Sequence, residues 1–465
     1  MKAGAALLAL AAGACVAGPD YRVPDRALVR SPVANAPFDS GAAPAFVQAE
    51  PPGRWWQLYR DPVLDGLVTE ALAANYDLRA ADANFRRATA VIQEAEAART
   101  ISTDAAGGGS LARPSGTGGS LPGTVGYSLG ISVGYPLDLA GQIRRAIEAA
   151  RADAEAVLAA RDNVRVSVAA ATARAYAATC SANHILAANN RIVALLRETF
   201  DVTRRLQRGG RGTAFDVTRA RAAVEQIEAA TPAIVASRQA ALYQLAALLG
   251  RPPAAYPRAV ESCATPPAVG RPLPIGDGAG LLRRRPDIRA AERSLAAATA
   301  RIGVATADLY PQVSLGGSIG LSGPQIRAAS GTDLGISLGP LVSWTFPNRR
   351  ATRARIAQAG ASADSAAAQF DATVNEALRQ IEVALSAYAR EIDRNRLLAQ
   401  ARGTAAVAAD QAERLYRFGR ADLLSLLTAQ ANLANAEATL ASSDATLIDR
   451  QIDVFLALGG GWQGA

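Results

Sequence analysis

The chain has 465 residues, half of them apolar, with a formal charge of +8 and a single histidine. Its length leaves room for two or three ordinary domains, and its apolar content excludes a disordered protein. The basic residues alternate with Asp and Glu along helical patterns instead of gathering with aromatics on a groove, which excludes nucleic-acid binding as the main role.

Residues 1–14 have the anatomy of a secretory signal: Met1-Lys2, an apolar run from Ala5 to Ala12, then Gly13-Ala14 before Cys15. A cysteine directly after small residues reads as a lipid attachment site, with Cys15 the acylated first residue of the mature chain; the alternative is an ordinary signal with a coincidental cysteine. No later run of 18 or more apolar residues exists, so no transmembrane helix is expected. Removing Cys15 to the lipid leaves Cys180 and Cys263, an even number in an oxidising compartment. They either pair or stand as two buried thiols. Residues 15–53, rich in Pro and Ala, read as an extended tether.

A first structural unit covers 54–253. After Trp55-Trp56, one helix carries Leu58, Leu64, Leu67, Val68 and Leu72, and a second runs from about Asp77 to Arg99. A strand hairpin is expected at about 100–136, its first strand weakly marked and very Gly-rich. Its second strand is sharper, because Tyr127, Leu129, Ile131, Val133 and Tyr135 alternate with Ser128, Gly130, Ser132 and Gly134. One face is apolar and the other nearly bare, the pattern of a strand with lipid on one side and a water-filled lumen on the other; a soluble half-buried strand is the alternative. From 141 to 208 there is no helix breaker, and Val157, Val164, Ala171, Ala178, Ile185 and Ile192 recur every seventh residue. Such a helix is about 100 Å long. A return helix is expected over 213–249, stopped by Gly250-Arg251-Pro252-Pro253, and a Pro-rich linker over 254–280.

The chain then repeats itself over 281–459. Asp287-Ile288-Arg289-Ala290-Ala291-Glu292 echoes Asp77-Leu78-Arg79-Ala80-Ala81-Asp82, and Leu206, Gly210, Arg211, Leu249 and Gly250 find their counterparts in Leu415, Gly419, Arg420, Leu458 and Gly459. A second hairpin falls at about 311–345, although Pro340 interrupts its last strand. A long helix follows over 349–417, with Ala367, Val374, Ile381 and Tyr388 seven apart, then a return helix over 422–458 and a tail over 460–465. The fold class is mainly α with a small β part. Four strands cannot close a membrane barrel, since single-chain barrels begin at eight, and an open edge in lipid leaves backbone groups unpaired. Several chains must share one barrel.

Chemistry points nowhere near catalysis. His184, within the heptad region, is the only histidine, so His-based triads and multi-histidine metal sites are excluded. The run Gly107-Gly108-Gly109 lacks the lysine and helix of a phosphate cradle, and the acids pair with Arg at ordinary helix spacings. No cofactor is expected beyond lipid on Cys15.

The chain resembles the TolC-like outer-membrane efflux proteins, in particular the OprM/NodT branch of lipoprotein channels, over nearly its whole length. The stretches that carry the likeness are Cys15 through Tyr21 with Pro24, Tyr135-Pro136-Leu137-Asp138-Leu139-Ala140-Gly141, Leu281 through Glu292, Arg301-Ile302-Gly303-Val304-Ala305 leading to Tyr310-Pro311, and Tyr416-Arg417-Phe418-Gly419 before Ala429-Gln430. The resemblance implies a homotrimer whose chains build one 12-stranded outer-membrane β-barrel, continued by an α-helical barrel in the periplasm. It also implies a passive exit duct for small molecules, driven by an inner-membrane pump of the resistance-nodulation-division (RND) type through a periplasmic adaptor. Adaptor contacts are implied at the two helix turns, at Gly210, Gly212 and Thr213 and at Gly419, Ala421 and Asp422, and a periplasmic gate at Leu424 and Thr428. Relatives commonly carry an acid where this chain has Thr428. Asp216 and Asp422 either supply that charge or serve as helix N-terminal caps. Two further functions share these features: a duct for type I-like protein secretion, and a non-conducting periplasmic coiled-coil lipoprotein.

Overall fold

The computed structural model describes residues 16–112, 124–270, 272–323, 334–344, 346 and 349–461. Cys15 and the signal residues before it lie outside the described residues.

In chain order the elements are β1 (Phe46–Val47), α1 (Pro62–Ala74), α2 (Tyr76–Ala97), β2 (Ser102–Ala112), β3 (Thr124–Leu137), α3 (Gln142–Arg208), α4 (Ala214–Glu228), α5 (Thr231–Leu248), β4 (Leu273–Pro274), α6 (Gly278–Arg284), α7 (Pro286–Ala307), β5 (Gln312–Gly323), β6 (Leu334–Ser343), α8 (Arg349–Arg417) and α9 (Leu423–Ala457). The chain is mainly helical with a small β part, as its periodicity predicts. Two compact units divide it: one takes Met1–Ala27, Ala83–Leu158 and Arg289–Ala372, the other Leu28–Asp82, Ala159–Ile288 and Thr373–Ala465. These units cut across the tandem repeats, since each repeat gives its strands to the first unit and its helix turn to the second.

In the first unit, β2, β3, β5 and β6 form one antiparallel sheet in that order, so the two hairpins join where β3 pairs with β5. The register sets Ile131 opposite Ile319, and Ile319 opposite Ile336; on the other face Ser132 meets Ser318, which meets Ser337. β6 runs straight through Pro340, correcting the expected interruption. Among the described residues it is an outer strand, paired only with β5. The step from β3 to α3 is made by Asp138, whose carboxylate accepts from the N–H groups of Ile143 and Arg144 at 3.0 and 2.9 Å. These are donors that a helix start leaves without partners.

The second unit holds the largest core. Trp55 is fully buried and stacks on Phe455, with ring centroids 4.9 Å apart. Val374, Ile381, Leu385 and Tyr388 of α8 are buried, so the second heptad line faces packing. The first line does so only in part: Ile192 is buried and Val164 and Ala171 pack against the core, but Ala178 is exposed, and around it the buried stripe of α3 runs through Val168, Ala169, Ala173, Tyr176, Ala177 and Cys180. Where most side chains are Ala, the apolar period is too evenly spread to mark one face. Cys180 and Cys263 form a disulfide that fastens α3 to the segment after α5, with Cα atoms 4.9 Å apart.

Three further expectations are corrected. The stretch read as a tether is part of the core from its middle onward, because Phe38 and Phe46 are buried and β1 pairs in parallel with β4. Glu382 also accepts the backbone N–H groups of Asp39 and Ser40, both at 2.9 Å. The segment 254–280 is likewise more than a linker: Leu273 and Ile275 are buried, and α6 begins at Gly278. The single return helix expected over 213–249 is two helices, α4 and α5, interrupted at Ala229-Ala230. Pro232 lies in the first turn of α5, where its missing N–H breaks the ladder. The described start of the tail, Gly460 and Gly461, packs against Trp55.

The repeat is physical as well as textual. Gly250 and Gly459 both close a helix in the left-handed conformation, at φ +68° and +67°. Asn75 donates to the carbonyl of Leu248 at 3.1 Å, and Arg285, at the matching place, donates to that of Ala457 at 2.7 Å. Arg284 adds a bond to Leu458 O at 2.9 Å. Each return helix thus ends on a side chain from the loop before the repeated helix, which satisfies carbonyls that a helix end leaves open.

Candidate functional site

Two features carry the functional reading: the turns that join long and return helices, and the two-faced sheet. Both turns are built alike. At the end of α3 the N–H of Arg211 bonds Leu206 O at 2.9 Å and that of Gly210 bonds Gln207 O at 3.0 Å; at the end of α8 Arg420 bonds Leu415 O at 2.8 Å and Gly419 bonds Tyr416 O at 3.0 Å. Gly210 and Gly419 sit at φ +69° and +70°. This is the Schellman closure, whose left-handed residue favours glycine. The next helix then starts at a capped residue. Thr213 and Asp216 form a reciprocal capping box, and Asp422 accepts the Ser425 N–H at 2.7 Å.

Asp216 and Asp422 are therefore caps in the described structure. Hydrogen bonds from Thr213 hold the Asp216 carboxyl below the ordinary aspartate range, and those from Ser425 do the same for Asp422; the Arg219 charge adds to both. Because both pKa values are lowered, the caps stabilise their turns fully above the ordinary value of 3.8, and the contribution is lost as pH falls through the depressed values. Amide exchange at Leu423 to Ser425 is expected to quicken in that acid range. Asp422→Asn should keep the cap at neutral pH and flatten the pH dependence at this turn alone; an unchanged profile would remove the carboxylate from the cap.

Leu424 and Thr428 lie on the first turns of α9, both exposed. The Thr428 hydroxyl is turned back onto its own helix, donating to Leu424 O at 2.8 Å. With Ser425, Ala429 and Asn432 they face Ala401, Thr404, Ala405 and Ala408 of α8 across a shallow groove. The repeat supplies two residues that the motifs passed over. Phe215 occupies in the first turn the place of Leu424 and is more exposed, 67% against 50%. Arg219 occupies the place of Thr428, with its guanidinium carbon 5.2 Å from the centre of the Phe215 ring. Aligning the two turns on Gly210 and Gly419 is the signal that finds them.

Behind the turns, α9 is held by buried polar contacts. Gln430 donates to Thr199 of α3 at 2.8 Å, and the Glu437 carboxylate takes Arg402 of α8 at 2.6 Å and Arg191 of α3 at 3.5 Å. His184 is half-exposed, 3.8 Å from Asp444.

On the sheet, Leu129, Ile131, Val133, Tyr135, Leu315, Ile319, Ile336 and Leu338 are all exposed on one face. The opposite face carries Ser128, Gly130, Ser132, Ser318, Gly320, Gly335 and Ser337. Asp104, opposite Ser132, is the one charge among the described strand residues. A contiguous apolar surface of this size on an open sheet marks an interaction with lipid or another chain. Among the described residues no helix is long and apolar enough to cross a membrane.

A strand sheet with a lipid-type face, joined to long helices that turn back at matched capped tips, defines a channel of the outer-membrane efflux class. The chain belongs to the outer membrane efflux protein family, which matches residues 67–251 and 280–460. It is 29% identical to nodulation protein T of Rhizobium leguminosarum bv. trifolii, over 90% of this chain and 89% of that protein. It is 30% identical to the probable efflux pump outer membrane protein TtgC of Pseudomonas putida, over 98% of this chain and 95% of that one. Its fold is similar to that of the outer-membrane channel OprN, with a TM-score of 0.88 and 34% identity, covering 97% and 100% of the two chains. The protein is an outer-membrane channel component of an efflux pump.

Proposed function

We propose that three copies of this chain close a shared 12-stranded barrel and act, without catalysis, as the exit duct of a tripartite pump. The observation that carries this is the four-stranded sheet itself: its outer strands, β2 and β6, have no partner on one side among the described residues, and its apolar face is exposed. In lipid each unpaired backbone group costs several kcal/mol, so the two outer strands need neighbours, which further copies of the chain supply. The Ser/Gly face lines the lumen. Covalent lipid on Cys15 anchors the chain in the outer membrane, and the helices extend into the periplasm.

Gly210, Gly212 and Thr213, with Gly419, Ala421 and Asp422, present rigid capped turns to a periplasmic adaptor, which links the duct to an inner-membrane pump of the RND type. The cargo is small and largely apolar; relatives are named for toluene, solvent and antibiotic efflux. Planar bilayers test the duct directly: discrete conductance steps from a purified trimer are expected, and a trimer that never conducts would refute it.

Leu424 and Thr428 narrow the periplasmic end, with no acid at the Thr428 place. Leu424→Ala removes an exposed apolar side chain from that constriction and is expected to raise basal conductance severalfold. An unchanged single-channel conductance would remove Leu424 from the gate.

A further inference from the structure

The two long helices begin alike in position but not in charge. With the turns aligned on Gly210 and Gly419, Trp344 stands at the place of Tyr135, and Arg349, Arg350 and Arg353 at those of Ala140, Gly141 and Arg144. Asp138, which caps α3 and lies 3.7 Å from Arg144, has Pro347 as its counterpart in the sequence, so the second copy lacks that carboxylate. α8 therefore opens on three exposed arginines with no acid in its first turn. Arg355, just beyond them, is 3.7 Å from Asp308, whereas Arg349, Arg350 and Arg353 make no ion pair among the described residues. The first turn of a helix carries partial positive charge, which repels these cations and draws in an anion. Nothing in helix capping explains the cluster.

Two exposed aromatic rings stand immediately before it. Trp344 follows Val342 on the apolar side of β6 and is 47% exposed, its indole N–H donating to Leu309 O at 3.3 Å. Phe346 is 64% exposed, with its ring centre 5.2 Å from that of Trp344. Aromatic rings at the end of an apolar strand face mark the level where hydrocarbon gives way to headgroups. Three residues of chain span at most about 10 Å, so Arg349 lies within headgroup reach of Phe346.

We propose that Arg349, Arg350 and Arg353, beside Trp344 and Phe346, bind the phosphate of an anionic phospholipid in the periplasmic leaflet of the outer membrane. The proposal rests on the reading of the apolar sheet face as lipid-exposed, and adds which lipid that rim selects. A guanidinium grips phosphate through two parallel donors, and clustered basic residues at a membrane surface favour headgroups of net negative charge. A zwitterionic headgroup carries an ammonium beside its phosphate, which the same three cations repel.

Fluorescence quenching tests this on the full chain in vesicles of phosphatidylglycerol and phosphatidylcholine, with bromine on the acyl chains of one lipid or the other. The difference between wild type and Trp344→Phe isolates the Trp344 signal. Brominated phosphatidylglycerol should quench it about threefold more strongly than brominated phosphatidylcholine at equal mole fraction. Replacing all three arginines, by Arg349→Gln, Arg350→Gln and Arg353→Gln together, should make the two lipids equal. The corresponding three changes to Lys should keep most of the preference, and Arg390→Gln, further along α8, all of it. Equal quenching in the wild type, or a preference that survives the triple change to Gln, would overturn the lipid site while leaving the sheet in lipid. Quenching by neither lipid would overturn the lipid-exposed face itself, and the site with it.

Discussion

Ile131→Arg is expected to remove the protein from the outer-membrane fraction. Ile131 is central in β3, lies between Ala105 and Ile319 in the register, and is 48% exposed on the apolar face. An arginine facing lipid near mid-bilayer costs about 2–4 kcal/mol per chain. In a shared barrel the penalty falls once on every copy at the same depth, and no chain can avoid it by rotating its sheet, because a one-residue shift would turn Ser132 and Ser318 outward as well. Ser132→Arg makes the same chemical change on the opposite face and should leave assembly intact. Membrane fractionation with electrophoresis of unheated samples reads both. Equal loss in the two variants would mean that the faces are not lipid and lumen.

The second large effect is expected at Arg285. Its guanidinium donates to Asp287 through Nε and Nη2 at 2.9 and 2.6 Å, to Gln380 at 2.9 Å and to Ala457 O at 2.7 Å. Arg285→Ala would leave a helix-end carbonyl and a partly buried carboxylate without their donor, a loss of about 3 kcal/mol. Arg285→Lys should recover little, since one ammonium cannot reproduce the planar fork. Denaturant unfolding read by circular dichroism checks this, and an unaltered midpoint in Arg285→Ala would show that Asn75 and Arg285 do not share a role. Gly459 belongs to the same joint: a Cβ there would press on Arg285 Cγ at 2.8 Å.

The parts legible in the sequence are those set by local chemistry. Alternation of Leu129, Ile131 and Val133 with Gly and Ser announces a two-faced strand, because side chains on a strand alternate by geometry. Gly210 and Gly419 announce the turns, because the left-handed closing residue suits glycine, and Asp422 fits the cap that follows. The tandem copy is visible because both halves need the same stops at the same spacing. Legibility failed where sequence pattern and packing part company. On Ala-rich α3 the seven-residue line holds at Ile192, which is buried, and fails at Ala178, which is exposed. Reading 213–249 as one helix passes over Pro232, which stands in the first turn of α5 where the helix is broken. Phe215 and Arg219 carry no motif of their own, and only alignment of the two turns brings them out.

By itself, then, the sequence determined the elements, their duplication, the two faces of the strands and the need for more strands than one chain holds. Only the tertiary structure decided how distant pieces meet: β3 with β5 across the repeats, Phe46 beside Leu273, Cys180 with Cys263, Arg145 on the carbonyls of Ala17 and Gly18, and Arg284 and Arg285 on the end of α9. The physical reason is that periodicity and capping are written within a turn or two of chain. A guanidinium that closes a helix end more than a hundred residues away leaves no local trace beyond its own charge.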